Sequence, residues 1–238
     1  MRVVILQPSY LPWLGYFDQL YRSEVFVLYD DVQFDKHGWR NRNRIKTAAG
    51  PQWLTVPVRT GGLGPQPINR IAIVNGGGWP RKHLTALRLN YSRAPFFGEY
   101  IGAFEALYAR PWERLLDLNL AALEILTEAL GLRRRVVLSS ALGIPGRRLE
   151  RLLQICQALG AQTYLTGDAA EGYLDGGLFA AHGIAVEFHR YRHPVYRQLH
   201  GDFIPYLSVV DLLFNAGPDS LAILTHGEAR EATTCARS

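Results

Sequence analysis

The chain has 238 residues, 48% apolar and 20% charged, a balance that supports a large packed core and excludes intrinsic disorder. Its net charge of +5 rests on 23 arginines and only three lysines (Lys36, Lys46 and Lys82), spread along the chain without a basic tail or a nucleic-acid module, so nucleic acid is not expected as a partner. Two distant cysteines, Cys156 and Cys235, exclude a zinc site of the usual CxxC kind, and the lack of any run of about 20 apolar residues argues against a membrane span.

"RVVILQ" (2–7) is a continuous apolar run closed by Pro8, the pattern of a buried parallel strand. It has no signal-peptide h-region or cleavage site, so a cytoplasmic protein is expected. The aromatic loop "PSYLPWLGY" leads to a short helix over 14–23 and a second strand over 24–30, together a βαβ unit. "RIKTAAGPQWLTVPV" holds two β-prone pieces around "AAGP", a hairpin pattern. After a Gly/Pro loop at 60–67, "INRIAIV" (68–74) alternates like a strand. "NGGG" and then Trp79-Pro80 open a helical region over 80–131, stopped by Gly131. The α/β alternation then returns: a strand over 134–142, a helix over 146–160 with Cys156 in its apolar stretch, and a strand over 162–167. A short helix near 172–182, a strand over 183–191 and a helix over 207–217 follow, and the tail after about 226 is expected to fray. The expected fold class is α/β, with a parallel or mixed Rossmann-like sheet built from the N- and C-terminal parts. A single domain over 1–225 would carry 80–131 as a helical subdomain.

Ligands of open α/β sheets bind at the carboxyl ends of the strands. Those ends carry Gln7, Asp30 and Asp31 with Gln33, Ser139 and Ser140, Asp168 ahead of Tyr173, and His193 with Tyr196. Asp30 and Asp31 are adjacent, so within a strand they would face opposite sides and could not act as a carboxylate dyad. One would orient a substrate amine or hydroxyl, with Asp31 the choice for the inward position, while the other braces the loop; taken alone, the pair is accounted for better by a strand-end turn with Asx hydrogen bonds. No third carboxylate stands at motif spacing, so no metal site is assigned. "WRNRNRIK" (39–46) would set Arg40, Arg42, Arg44 and Lys46 on one face, which suits phosphate or carboxylate and also suits a charge-protected edge strand. Trp39, Asn41 and Asn43 are costly choices for a merely soluble edge. His83 and His193 are each a general base near neutral pH or a structural histidine. The Arg runs at 133–135 and 146–148 read as solvated surface. "GGLGP" and "NGGGWP" fit neither a P-loop nor a dinucleotide fingerprint, and no GxSxG or HExxH occurs.

Several stretches carry a resemblance: "ILQPSYLPWLGYFDQL", "VFVLYDDVQF", "WRNRNRIKT", "WLTVPV", "YLTGDAAEGYL" and "HPVYRQLHGDFIPYLSVVDLLFNAGPDS". Together they resemble the WbqC-like family over about residues 4–220. The matching polar positions include Gln7, Tyr10, Trp13, Asp30, Asp31, Gln33, Trp39, Asn41, Arg42, His83, Tyr173, His193, Tyr196, Asp211 and Asn215. The resemblance implies an enzyme of a surface-polysaccharide (O-antigen) or specialised-metabolite pathway, without supplying a catalytic list. The N-terminal unit alone is similar to the opening of pantothenate synthetase-type nucleotidylyl transferases. It lacks their HxGH signature: Gly15 is present, but Tyr10 and Trp13 stand in the loop where histidines are missing.

Three functions are compatible with these features. The first is acyl or aminoacyl transfer forming an amide on an amino sugar or similar small polar acceptor. Asp31 or Asp30 would orient the amine, His83 or His193 would be the alternative base, and Arg42 and Lys46 would hold an anionic donor. Arg42 and Lys46 could instead hold a nucleotide-linked sugar diphosphate, the small-molecule substrate could be such a nucleotide-linked sugar or a carrier-bound acyl group, and Tyr10, Trp13 and Tyr16 would form an aromatic wall. The second is nucleotidylyl-transfer or adenylate-forming chemistry with ATP and Mg²⁺ in the same cleft. The third is a non-catalytic scaffold docking through the aromatic loop.

Overall fold

The structure, a computed structural model, describes residues 1–62 and 64–226. The expected frayed tail lies outside the described residues. In chain order the elements are β1 (Arg2–Leu6), α1 (Leu14–Arg22), β2 (Val25–Leu28), β3 (Arg42–Thr47) and β4 (Gly50–Thr55). Three long helices follow, α2 (Trp79–Tyr91), α3 (Phe97–Ala109) and α4 (Leu115–Ala129). The chain then runs through β5 (Arg135–Leu138), α5 (Ser139–Leu142), α6 (Arg148–Ala158), β6 (Thr163–Gly167), α7 (Gly176–Ala180), β7 (Ala185–His189), α8 (Val209–Ala216) and α9 (Ser220–Leu224).

Five strands form one parallel sheet in the order β5-β2-β1-β6-β7. Counting only these strands, that is 3-2-1-4-5, a doubly wound order whose direction reverses between β1 and β6. β1 and β2 register Val3 with Val25 and Leu6 with Leu28. β3 and β4 form a separate antiparallel hairpin, pairing Arg42 with Thr55 and Thr47 with Gly50.

Both faces of the parallel sheet are covered, which is why its strands read as unbroken apolar runs. Val3, Ile5, Val25, Val27 and Tyr164 pack with Leu152, Ile155 and Cys156 of α6 and Phe179 of α7. The alternate residues Val4, Phe26, Leu28 and Leu165 join the larger core with Phe17 and Leu20 of α1 and with the helical block. Each such fully buried side chain contributes roughly 1.5–3 kcal/mol. Phe214 of α8 ties the block together, with its ring 5.2 Å from Tyr91, 5.3 Å from Phe97 and 5.7 Å from Phe104. Burial pushes the Cys156 thiol up to about 12, consistent with a packing role.

Two local expectations are corrected. Residues 68–74 are not a strand: Ile68–Arg70 is a 3-10 turn, followed by single bridges from Ala72 to Arg114 and Ile73 to Val58. The alternation of Ile68, Ile71 and Ile73 arises because these side chains plug the core from a loop. The strand expected over 134–142 stops at Leu138, and Ser139–Leu142 turn into a short helix. α4 ends where Gly131 takes a left-handed φ of 65°, a conformation that costs glycine little.

Candidate functional site

At the carboxyl end of β2 the chain leaves the sheet before it reaches the two acids. Asp30 and Asp31 therefore lie in a turn, and the opposite-face argument does not govern them. Both meet Ser139, the first residue after β5: its Oγ is 3.0 Å from Asp30 Oδ1 and 2.6 Å from Asp31 Oδ1. Asp30 is fully buried and also accepts from Ser140 N at 2.9 Å, Ser140 Oγ at 2.7 Å and Asn69 Nδ2 at 3.1 Å. It is a brace between β2, the start of α5 and the 68–70 turn. Asp31 is the partner that reaches solvent, and Arg151 of α6 holds it through Nη2 at 2.5 Å. Burial acts to raise the Asp31 pKa, but hydrogen bonds from Arg151 and Ser139 and the guanidinium charge outweigh it and lower it. Asp31 is thus an ionised acceptor and a weak base.

Beside this acid a cavity of about 800 Å³ opens at the start of α6, lined by Tyr29, Val32, Arg147, Arg148, Leu149, Glu150, Leu152 and Tyr173. The α6 N-terminus carries no side-chain cap, and its first N–H groups stand with Arg147 and Arg148 at the cavity, opposed there by the Glu150 carboxylate of the first turn. Arg151 stacks over the Tyr29 ring at 5.2 Å, and burial raises the Tyr29 phenol against that cation. Asp168 follows β6 in an exposed 3-10 turn, and Tyr173, 63% exposed, comes from the same connection. Tyr173 shares this cavity with Tyr29, Arg147 and Arg148; both arginines are exposed, as expected of surface charge, and Asp31 stands in the chain between the lining residues Tyr29 and Val32 without lining the cavity itself.

The aromatic loop divides instead of forming one wall. Tyr10 is fully buried, with its hydroxyl 2.9 Å from His83 Nδ1 and hydrogen-bonded to Tyr108. Trp79 and Tyr108 set ring edges against His83 at 5.3 and 5.9 Å. Burial lowers His83 to about 4, so it is neutral at pH 7. Its cavity of about 450 Å³, shared with Trp53 and Lys82, is a different one. Tyr16 packs in the core against Phe17 and Phe26. Trp13 instead meets Tyr191 and Tyr206, both at 5.5 Å. His193 sits in that group between Tyr196, Phe203 and Tyr206. Its Nδ1 donates to the Pro194 carbonyl at 2.8 Å, which leaves Nε2 as a buried acceptor with no partner among the described residues. Burial lowers its pKa as well.

The basic stripe also separates. Arg42 lies 4.6 Å over Trp53, and Arg44 lies 5.6 Å over both Trp39 and Trp53, an exposed ladder on the hairpin. Arg40 turns inward to donate to Ser9 Oγ at 3.1 Å and to the Gln7 carbonyl at 3.4 Å. Lys46 is 1% exposed, and its Nζ donates to the carbonyls of Gly201 and Asp202. Asn41 donates to the Val56 carbonyl at 2.8 Å. Asp211 is fully buried and accepts from the Tyr91 hydroxyl at 2.8 Å and the Tyr196 hydroxyl at 2.7 Å, while Asn215 donates to its carbonyl at 2.7 Å. Burial raises the Asp211 pKa. Gln33 bridges to Pro67 and lines a separate loop cavity with Phe34 and Ile71. Among the described residues no group of three or more His, Cys, Asp or Glu is placed to hold a metal ion. No helix among them is long and apolar enough to cross a membrane.

Sequence reading missed Arg151, Tyr29, and the pair Asp18 and His189. His189 ends β7 and was within reach of the strand-end rule, whereas Arg151 and Asp18 lie inside helices and carried no motif.

The WbqC-like protein family matches the chain over residues 7–223. The uncharacterized protein Rv1507c of Mycobacterium tuberculosis (strain ATCC 25618 / H37Rv) is 38% identical over 221 residues, covering 92% of this chain and 95% of the relative. No solved structure matches the chain.

Proposed function

The chain belongs to the WbqC-like protein family, and from that premise we propose that it is a transferase of a surface-polysaccharide or specialised-metabolite pathway that forms an amide on an amino sugar or similar small acceptor. The observation that carries the reading is the 800 Å³ cavity at the carboxyl end of the sheet, where Arg147, Arg148 and the α6 N-terminus stand near the ionised Asp31. The arginines and helix terminus suit the phosphates of a nucleotide- or carrier-linked donor. Tyr29 and Tyr173 offer ring faces to its base or sugar.

Asp31 would accept from the acceptor ammonium and position it. Its lowered pKa makes it an orienting group and not the final proton acceptor. In the transfer the ammonium first loses one proton to solvent, and the free amine nitrogen then bonds the acyl carbon while the bond from that carbon to the donor's sulfur or oxygen breaks. A second N–H proton passes to the leaving group or to solvent. Proximity and orientation are then the main contributions of the protein.

A second reading, nucleotidylyl-transfer or adenylate-forming chemistry with ATP, draws on the doubly wound strand order and the same phosphate-suited cavity. Thermal-shift screening against ATP with Mg²⁺, nucleotide sugars and acyl-CoA separates the two, because a ligand at 100-fold its Kd stabilises by about 2.7 kcal/mol. Stabilisation by acyl-CoA or a nucleotide sugar that Arg147→Glu and Arg148→Glu abolish supports transfer. Stabilisation by ATP alone favours the second reading. A response to none of them, in folded protein, defeats both.

A further inference from the structure

The spread of basic residues along the chain conceals an uneven spread of acids. Residues 36–98 contain no Asp or Glu, and they hold 11 of the 26 Lys and Arg, all three lysines included. The rest of the chain therefore carries 15 cations against all 21 acids. Such an asymmetry points to a polyanionic partner. We propose that the solvent-facing side of the β3–β4 hairpin is a docking surface for single-stranded nucleic acid, with bases stacked on the planes of Trp39, Trp53, Arg42 and Arg44 and a phosphate drawn to Lys82.

The two sides of the hairpin differ. Asn43, Ile45 and Leu54 turn into the core. The opposite side pairs Arg42 with Thr55 and Arg44 with Trp53, and Trp39 joins it from the preceding loop, its ring 5.2 Å from that of Trp53. The two indoles are 39% and 44% exposed, and Arg42 and Arg44 stack on them. Backbone carbonyls fix both guanidiniums. Arg42 donates to His37 at 2.5 Å and Gly38 at 3.3 Å, and Arg44 donates to Tyr206 at 3.3 Å. Neither forms an ion pair with a carboxylate among the described residues. The acid nearest in sequence, Asp35, accepts from the His37 N–H at 2.9 Å. Two large rings and two cations without a counter-carboxylate are thus held in place before a partner arrives, which lowers the ordering cost of binding.

The positive surface continues past Trp53. The cavity of about 450 Å³ beside it is lined by Lys82 and by no Asp or Glu. Lys82 is exposed and has no ion pair among the described residues. It belongs to an α2 opening that runs Arg81, Lys82, His83 with no acid in the first turn, although a helix N-terminus ordinarily favours Asp or Glu. Cations placed there oppose the helix dipole, and an approaching phosphate offsets the repulsion.

The layering of the surface selects the polyanion. Planar bases stack on guanidinium as well as indole planes, while phosphates meet the charge. A pyranose, which stacks on bare ring faces, finds guanidiniums over them. A membrane anchor would present tryptophans at a loop tip, whereas Trp53 lies within β4 and the tip is Ala48-Ala49. A duplex keeps its bases from such planes, so a single strand fits. None of these residues lines the α6 cavity, so the surface stands or fails independently of the transferase reading.

Fluorescence anisotropy of labelled RNA and DNA strands with the full chain tests this, using strands of about 20 nucleotides, long enough to cover the surface. Binding of either single strand is expected, weakening as salt rises, with the same strand annealed to its complement bound more weakly. Trp39→Ala and Trp53→Ala, both at exposed positions, should each reduce affinity roughly fivefold or more, the scale of one stacked base. Lys82→Gln should lower the slope of log affinity against log salt by about 0.7, the loss of one phosphate contact to a single strand. Arg133→Gln, exposed and outside the acid-free segment, should leave affinity and slope unchanged. Urea midpoints establish that each variant is folded. No binding of either strand by folded protein at about 100 µM, the weak end of non-specific affinity, overturns the proposal. So does equal binding of the duplex, affinity that survives both tryptophan variants, or a slope that Arg133→Gln lowers as much as Lys82→Gln. Heparin or phosphatidylglycerol vesicles that bind through Trp39 and Trp53 where nucleic acid does not would overturn it as well.

Discussion

The Ser139 hydroxyl stands 2.6 Å from the Asp31 carboxylate, and the same oxygen touches the neighbouring Asp30 at 3.0 Å. One proton is therefore placed between two acids, and the end of β2 is tied to the start of α5. Replacing Ser139 by Ala would leave buried carboxylate oxygen short of a donor, at a cost of about 1–3 kcal/mol. Urea unfolding of Ser139→Ala should show a lower midpoint with an unchanged slope; an unchanged midpoint would mean that the brace is not stabilising.

Asp31 and Arg151 give this region a pH signature. The folded pKa of Asp31 is lowered, so its contribution is present above the ordinary carboxylate value of about 3.9 and is lost as pH falls through the folded pKa. Arg151→Met should therefore be less stable than the parent at pH 7, and the two should converge as the solution is acidified towards pH values below that range. Denaturant midpoints measured from neutral to acid pH check this; a gap that stays constant with pH would contradict it.

His83 is held neutral by burial, with its pKa lowered to about 4. The unfolded chain, with an ordinary value of about 6.5, binds the proton first, so stability should fall as pH drops from 6.5 towards 4. The imidazole resonances of His83 should not titrate between pH 8 and about 5. Titration near 6.5 in the folded protein would show that Tyr10 and Trp79 do not enclose the ring.

Gly15 sets the position of Trp13. A Cβ at residue 15 would fall 2.3 Å from the Trp13 ring, closer than non-bonded atoms approach. Gly15→Ala should displace the indole from Tyr191 and Tyr206 and destabilise the protein by about 1–3 kcal/mol, as overpacking does. Changed tryptophan fluorescence with a lower melting temperature is the expected result, and a variant identical to the parent in both would refute the contact.

Asp211 accepts two buried tyrosine hydroxyls, so Tyr196→Phe removes a donor from a carboxylate that burial already penalises. A loss of about 1.5–3 kcal/mol is expected, the range for a hydrogen bond to a charged group. Tyr206→Phe, at a half-exposed ring, serves as the control and should change stability by less than about 0.5 kcal/mol. Equal effects of the two would argue against the network.

The sequence by itself determined the α/β class, the βαβ opening, the hairpin and the return of strands after the helical middle. These follow from local pattern: unbroken apolar runs for strands buried on both faces, helical spacing for α4, and Gly131 as a stop. It also pointed to the strand ends, where Tyr173 lines a cavity and Asp31 follows the lining residue Tyr29 by two positions. Three-dimensional packing decided which polar residues are available to a ligand. Lys46, Asp30, Tyr16 and Asp211 look like site residues in the chain and are buried among the protein's own donors, acceptors and apolar side chains. Arg147 and Arg148 look like surface charge and are exposed, yet packing sets them on the lining of a cavity. Asp18 and His189 are 171 positions apart, and only the packing of α1 beside β7 brings them to 2.6 Å. Spacing along a strand or helix reports the face a side chain shares with its near neighbours, whereas hydrogen-bond saturation depends on partners from distant segments.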